Sequence, residues 1–109
     1  MNDSAFERIH QEISTNEVVV FMRGTPMFPT CGGSAAVVEA LAALGVEFKA
    51  VDVQTEPKLA EAISQFVEGQ SAPQVYVRGR FIGGAEIIRA IAASGELRQF
   101  LAAEGIAVK

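Results

Sequence analysis

The sequence predicts one α/β domain over residues 1–109, in which a four-stranded mixed sheet carries helices on both faces. Three observations support this prediction. The β-branched run EVVVFMR, at 17–23, is typical of a strand covered on both sides. A strand, a helix and a second strand follow one another from 17 to 53, as in a βαβ unit. Two short apolar runs at 73–84 surround Arg78-Gly79, as in a hairpin.

The first half of the chain contains two predicted helices around the first strand. Segment 3–14 places its apolar residues at helical spacing: Phe6, Ile9 and Ile13. Segment 34–45 does the same with Val37, Leu41 and Leu44. Gly45 is suited to end this second helix. The short segment 47–53 is bounded as a strand would be.

The second half of the chain is predicted to form a third helix, the hairpin and two more helices. The third helix covers 56–69, with a proline near its start and a glycine after its last turn. The hairpin at 73–84 follows, and then helices over 85–95 and 96–105. The predicted order is therefore α-β-α-β-α-β-β-α-α, with a parallel half and an antiparallel half of the sheet.

Composition narrows the class of protein. The net charge is −4 and the nine basic residues are scattered, which argues against a nucleic-acid partner. The N-terminal segment lacks the apolar core of a signal peptide, and no apolar run approaches the ~20 residues of a membrane span. One cysteine cannot form a disulfide within the chain, and a lone thiol suits a reducing compartment. We therefore expect the cytoplasm of a bacterium or an organelle matrix, without a membrane partner.

Cys31 follows the first strand and precedes the second helix. Free N–H groups and the positive end of the helix dipole favour a thiolate there. Gly32 and Gly33 let backbone amides approach the sulfur, and the carboxyl ends of strands are where open α/β sheets bind ligands. The alternative is a small buried apolar residue, which is common for cysteine. The position favours a nucleophile or a metal ligand.

Two segments resemble the monothiol glutaredoxin family. FMRGTPMFPTCGGS, at 21–34, is similar to the active-site motif M-K-G-T-P…P-x-C-G-F-S. SAPQVYVRGRFIGGAEI, at 71–87, is similar to T-[IVF]-P-Q-[IVL]-[YFW]-[IV]-x-G-x-[FL]-[IV]-G-G-[CS]-D. The resemblance extends from about Phe6 to Leu101 and implies a thioredoxin-like fold of the glutaredoxin type.

The resemblance also implies a set of site residues. Cys31 would be the thiol that reacts with glutathione and an iron ligand of a [2Fe–2S] cluster that bridges a dimer. Pro73 would be a cis-proline facing that thiol. The implied glutathione-binding residues are Arg23, Thr25, Cys31, Ala72, Pro73, Gly84 and Glu86.

The sequence departs from the family motifs around this ligand site. Gly33 replaces a phenylalanine, and Gly69-Gln70 replaces Trp-Pro. Ala85-Glu86 replaces [CS]-D, with an acid one methylene longer. A basic residue usual on the third helix aligns with Ala60, and Lys58 is the nearest substitute.

Three functions are compatible with these residues. A [2Fe–2S] cluster takes four ligands and the chain has one cysteine, so two chains and two glutathione thiols would complete the set. The first function is therefore a glutathione-ligated homodimer that transfers its cluster to iron–sulfur acceptor proteins. The second is an oxidoreductase that acts on glutathione mixed disulfides by a monothiol route. The third is a non-catalytic interaction module in which the departures mark a decayed site.

Overall fold

The computed structural model describes residues 3–109. It contains five helices and four strands within that range: α1 Asp3–Thr15, β1 Val18–Met22, α2 Gly32–Ala43, β2 Lys49–Asp52, α3 Pro57–Phe66, β3 Gln74–Val77, β4 Arg80–Gly83, α4 Ala85–Ser94 and α5 Glu96–Ala103. A 3₁₀ turn, Val53–Thr55, follows β2.

The strands form one mixed sheet in the order β2-β1-β3-β4. β1 pairs with β2 in parallel, with Phe21 opposite Val51, and with β3 in antiparallel, with Val20 opposite Val75. β3 and β4 form an antiparallel hairpin. The parallel and antiparallel halves that the sequence predicts are therefore both present, and β1 lies at the centre between them.

The hairpin turns at Arg78-Gly79, as its sequence predicts. Both residues have positive φ, 50° and 80° respectively. A two-residue hairpin turn of this type matches the twist of the strands and needs left-handed backbone at both central positions. Arg78 is held there by its side chain, which donates from Nε to the carbonyl of Glu104 at 2.8 Å.

The core has two layers because the side chains of the central strand alternate across the sheet. One layer combines β1 and β3 with α2, α4 and α5, and its buried residues include Val18, Val20, Met22, Val37, Leu41, Val75, Ile88, Leu97 and Leu101. The other combines the sheet with α1 and α3, and includes Ile9, Ile13, Val19, Phe21, Val51, Leu59, Ile63 and Tyr76. Helices thus cover both faces, as predicted.

Most element boundaries differ from the sequence prediction by one to three residues, and two of the differences have a clear side-chain cause. Helix α2 begins at Gly32 instead of at 34, because the Cys31 side chain caps the helix two residues earlier. Strand β2 ends at Asp52, whose carboxylate accepts the backbone N–H of Gln54 at 2.9 Å and starts the 3₁₀ turn. Both differences arise from side chain to backbone hydrogen bonds that the apolar pattern does not record.

Candidate functional site at the start of helix α2

Cys31 is the N-cap residue of α2. Its backbone is extended, with φ −144° and ψ 155°, and its Sγ accepts the backbone N–H of Ser34 at 3.4 Å. An N-cap side chain typically accepts a hydrogen bond from the third residue of the helix in this way. The thiol is partly exposed, so it is stabilised by the helix end and is still open to a reactant.

Ser34 connects this thiol to strand β1. Its Oγ lies 3.2 Å from Cys31 Sγ and accepts the backbone N–H of Arg23 at 3.0 Å. The Ser34 side chain is fully buried. Because the Arg23 N–H occupies one lone pair of the oxygen, the hydroxyl proton is free to donate to the sulfur when the sulfur is a thiolate. The Ser34 hydroxyl therefore has a better hydrogen-bond acceptor in the thiolate than in the thiol.

The pKa of Cys31 lies below its ordinary value. Burial by itself raises this pKa, but several favourable interactions outweigh it. Ser34 lowers it through its hydroxyl and its backbone N–H, the charge of Arg23 lowers it further, and so does the backbone N–H of Gly33. Hydrogen bonds and a cation that favour the charged form account for the direction of the shift.

The loop before Cys31 is a tight hairpin-like turn. Thr25 and Phe28 exchange backbone hydrogen bonds of 3.0 and 3.3 Å, and Thr30 N–H donates to the carbonyl of Arg23 at 3.1 Å. Gly24 has φ 88°, and a Cβ there would lie 2.4 Å from the carbonyl oxygen of Phe28. Only glycine permits this turn, which holds the loop against the start of α2.

A cleft of about 420 Å³ lies beside the start of α4. It is lined by Gly69, Gln70, Ser71, Ala72, Pro73, Gly84, Ala85, Glu86 and Ile87. Four of the residues that the family resemblance implies for glutathione are therefore brought together in one cleft. The Ala72–Pro73 peptide bond is cis, as the resemblance implies.

Gly33, in the first turn of α2, lies against two residues that line the cleft. A Cβ on Gly33 would lie 3.1 Å from the Cβ of Ala85 and 3.4 Å from the Cδ of Pro73. Two departures from the family motif, Gly33 and Ala85, thus face each other. The starts of α2 and α4 approach closely because both residues are small.

Other implied residues lie outside this cleft. Arg23 is exposed at the end of β1, and its charge acts on Cys31. Thr25 is exposed in the loop, where its Oγ1 accepts the backbone N–H of Phe28 at 3.2 Å. Lys58 lines a separate depression with Arg8 and Glu56 and is not among the residues that line the cleft. None of the nine residues that line the cleft is a cation.

Sequence reasoning missed two buried polar residues that shape the site. One is Ser34, for which the signal was the Cys-x-x-Ser spacing at a helix start. The other is Gln74, whose Nε2 donates to the carbonyls of Ile63 at 2.9 Å and Gln70 at 3.3 Å. Its Oε1 accepts the hydroxyl of Tyr76 at 2.7 Å. Gln74 thereby anchors the segment that forms one wall of the cleft.

Within residues 3–109 no group of three or more His, Cys, Asp or Glu side chains could hold a metal ion. In the same range, no helix is long and apolar enough to cross a membrane.

Comparison with known proteins shows which family this chain resembles. Residues 18–82 match the family model described as Glutaredoxin. The chain is 39% identical over 101 residues to an uncharacterized monothiol glutaredoxin ycf64-like protein of Synechocystis, covering 93% of this chain and 94% of the relative. It is 44% identical over 96 residues to the mitochondrial monothiol glutaredoxin-5 of Saccharomyces cerevisiae, covering 85% and 64%.

The fold also matches a solved structure. A monomeric truncated mutant of Trypanosoma brucei 1-C-Grx1 superposes with a TM-score of 0.85 at 30% identity, and the match covers 94% of each chain. This match confirms the thioredoxin-like fold.

Proposed function

Because the chain belongs to the monothiol glutaredoxin family, we propose that it binds glutathione beside Cys31 and carries a [2Fe–2S] cluster as a glutathione-ligated homodimer. The observation that carries the proposal is the single thiol with a lowered pKa at the start of α2, next to a cleft. A thiolate is the form of cysteine that binds iron and attacks disulfides.

Glutathione offers the cleft an ammonium group, two carboxylates and an amide backbone. Glu86, in the first turn of α4, supplies a carboxylate for the ammonium group. Ala72 and Gly84 line the cleft together with Pro73, and their backbone groups would hydrogen-bond the peptide. Arg23 supplies a cation for a carboxylate. These contacts would place the glutathione sulfur near Cys31.

Ligand counting supports the dimer. One chain contributes one thiolate, and a [2Fe–2S] cluster takes four ligands. Two copies of Cys31 and two glutathione thiols complete the set. Because half of these ligands dissociate freely, the cluster is suited to transfer, and its recipients are iron–sulfur acceptor proteins. We propose that the protein functions in the cytoplasm or an organelle matrix, where thiols stay reduced.

Anaerobic reconstitution tests the proposal. The protein is incubated with iron, sulfide and glutathione, and the visible spectrum and native mass are recorded. We expect a coloured dimer that is lost in Cys31→Ser, and also lost when glutathione is omitted. The matched control is Ser94→Ala, an exposed serine at the end of α4 whose hydroxyl bonds to the carbonyl of Ile91 and to Glu96 at the start of α5, and has no hydrogen bond to Cys31. A colourless monomer under these conditions contradicts the proposal.

The lowered pKa of Cys31 also favours a second function, reduction of glutathione mixed disulfides. The Cys31 thiolate attacks the glutathione sulfur of a protein–glutathione disulfide and releases the protein thiolate. A second glutathione thiolate then attacks the Cys31–glutathione disulfide, which yields oxidised glutathione and restores the Cys31 thiolate. Each turnover consumes one glutathione thiol and releases one protein thiol, and the other half of the oxidised glutathione comes from the mixed disulfide, so no second cysteine is required.

A turnover assay separates these functions. Release of oxidised glutathione from a glutathionylated peptide, with no coloured dimer on reconstitution, would favour the enzyme. If neither activity is found and Cys31 resists mild alkylation, the interaction module is the function that stands.

A further inference from the structure

Gly84 faces two oxygen atoms within the cleft beside Pro73. A Cβ on Gly84 would lie 3.2 Å from the carbonyl oxygen of Pro73 and 3.9 Å from Oε1 of Gln70. Both oxygens come from the segment between α3 and β3, whereas Gly84 is the N-cap residue of α4. Because Gly84 has no side chain, two hydrogen-bond acceptors converge on the space in front of its Cα.

Gln70 is held by its backbone and leaves its side chain available. Its N–H donates to the carbonyl of Val67 at 2.9 Å, and its own carbonyl accepts Nε2 of Gln74 at 3.3 Å. Gln70 is exposed, and within residues 3–109 its side-chain amide makes no hydrogen bond. The amide is therefore positioned at its base by two backbone bonds and is free to bind a ligand.

The charge of the cleft has one sign. Glu86 is the one charged side chain among the nine lining residues, and it lies in the first turn of α4, two residues after Gly84. Among residues 3–109 it takes part in no ion pair. A carboxylate, an amide oxygen and a backbone carbonyl all accept hydrogen bonds, so this end of the cleft is suited to a positively charged group with several N–H donors.

The start of α4 by itself disfavours such a cation. The positive end of the helix dipole repels a positive charge, and no side chain caps the helix at Gly84. An ammonium group bound there therefore needs acceptors that do not belong to the helix. Gln70 supplies one from the segment that faces α4, and the Pro73 carbonyl supplies another.

We propose that Gln70 is a specificity-determining residue that binds, together with Glu86, the free ammonium group at the γ-glutamyl end of glutathione. The inference rests on the proposed function and adds the residue that selects a free amino group. Oε1 of Gln70 and the Pro73 carbonyl accept ammonium hydrogens, and Glu86 balances the charge. Thiols with the same cysteinyl-glycine part but no free ammonium group are then bound more weakly.

This assignment gives two departures from the family motifs a role. Gln70 stands in the place of the proline of Trp-Pro, and Glu86 stands in the place of an aspartate. Proline has no side-chain acceptor, whereas glutamine has one. The acid at position 86 reaches one methylene further from its helix. The two replacements therefore add acceptor capacity at this end of the cleft instead of removing it.

Amide chemical-shift titrations of the reduced protein with three thiols test the assignment. Glutathione is compared with N-acetylglutathione, whose amine is neutral, and with glutaryl-cysteinyl-glycine, in which a hydrogen replaces the amino group. We expect the wild-type protein to bind glutathione about tenfold more tightly than either analogue. Gln70→Met should weaken glutathione binding about fivefold and leave the analogues unchanged. The matched control is Gln65→Met, an exposed glutamine of α3 outside the cleft, which should change none of the three.

Two further variants sharpen the test. Gln70→Glu replaces the amide by a carboxylate and should raise the preference for glutathione over glutaryl-cysteinyl-glycine. A lower preference would assign the Gln70 amide to a glutathione carboxylate and overturn the inference. Glu86→Gln should also weaken glutathione binding, and its effect should not add to that of Gln70→Met, because both side chains contact one ammonium group. Fully additive effects overturn the joint binding.

The outcomes separate this inference from the proposed function. Equal affinities of the wild-type protein for the three thiols overturn the inference while glutathione binding stands. A Gln70→Met protein that keeps the full preference for glutathione overturns the role of Gln70 in the same way. A wild-type protein that binds none of the three thiols overturns the proposed function, and the inference with it.

Discussion

The backbone N–H of Arg23 donates to the Oγ of Ser34 at 3.0 Å, and this bond joins the end of strand β1 to the first turn of helix α2. It fixes the serine oxygen 3.2 Å from Cys31 Sγ. The hydroxyl that stabilises the thiolate is thus positioned by the sheet as well as by the helix, and the following predictions start from that arrangement.

Ser34→Ala is expected to raise the pKa of Cys31, because the largest favourable contribution to its lowered value is lost. A hydrogen bond to a charged group is worth about 1.5–3 kcal/mol, and since Cys31 is partly exposed the loss should fall at the lower end. We expect alkylation by iodoacetamide near neutral pH to slow by about tenfold. Ser94→Ala is the control and should leave the pH profile of alkylation unchanged.

The lowered pKa of Cys31 also predicts a pH-dependent contribution to stability. In the pH range between the folded-state pKa and the ordinary thiol value of about 8.5, the unfolded chain binds more protons than the folded one. The free energy of unfolding should therefore rise with pH through that range, and the contribution should disappear below the folded-state pKa. Urea denaturation of wild type and Cys31→Ser at a series of pH values measures it. A difference between the two proteins that does not change with pH contradicts the thiolate assignment.

Gly32 and Gly33 should respond to alanine in opposite ways. A Cβ on Gly32 has nothing within 4 Å, whereas one on Gly33 would lie 3.1 Å from the Cβ of Ala85. We expect Gly32→Ala to stabilise the protein by about 0.5 kcal/mol through helix propensity and reduced unfolded-state entropy. Gly33→Ala should destabilise it by about 1 kcal/mol through overpacking. Thermal unfolding measures both, and Ala85→Gly should rescue Gly33→Ala; equal effects at the two glycines would contradict the close approach.

Gln74→Leu is expected to destabilise the protein by about 2–3 kcal/mol, because it removes three hydrogen bonds and leaves the buried hydroxyl of Tyr76 without its acceptor. The Ile63 carbonyl keeps the N–H of Val67 and Gln70 is exposed, so the Tyr76 hydroxyl, whose pKa burial raises to about 12, accounts for most of the cost. Tyr76→Phe removes only one of these bonds and should cost about 1 kcal/mol. The free energy of unfolding in urea is the measurement. If the two variants cost the same, Gln74 does not anchor the cleft wall.

The order of elements was predictable from the sequence because it depends on local patterns. The β-branched run at 17–23 is typical of a covered strand, and Arg78-Gly79 suits a hairpin turn. The early start of α2 was not predictable from apolar spacing, since it depends on one side chain capping a helix. The surroundings of Lys58, the nearest basic residue to the expected position, were not predictable either, because nearness in sequence does not decide which depression a residue of α3 lines.

By itself the sequence determined the α/β architecture, the position of Cys31 between a strand and a helix, and the family resemblance. Apolar periodicity, turn residues and helix-end electrostatics act over a few residues, so they can be read from the chain. Only the tertiary structure decided what surrounds the thiol. It joined Ser34 to the backbone of Arg23, set Gly33 against Ala85, and left Phe28 and Ile87 exposed. These relationships join segments that are distant in the chain, and packing of the whole core sets their distances.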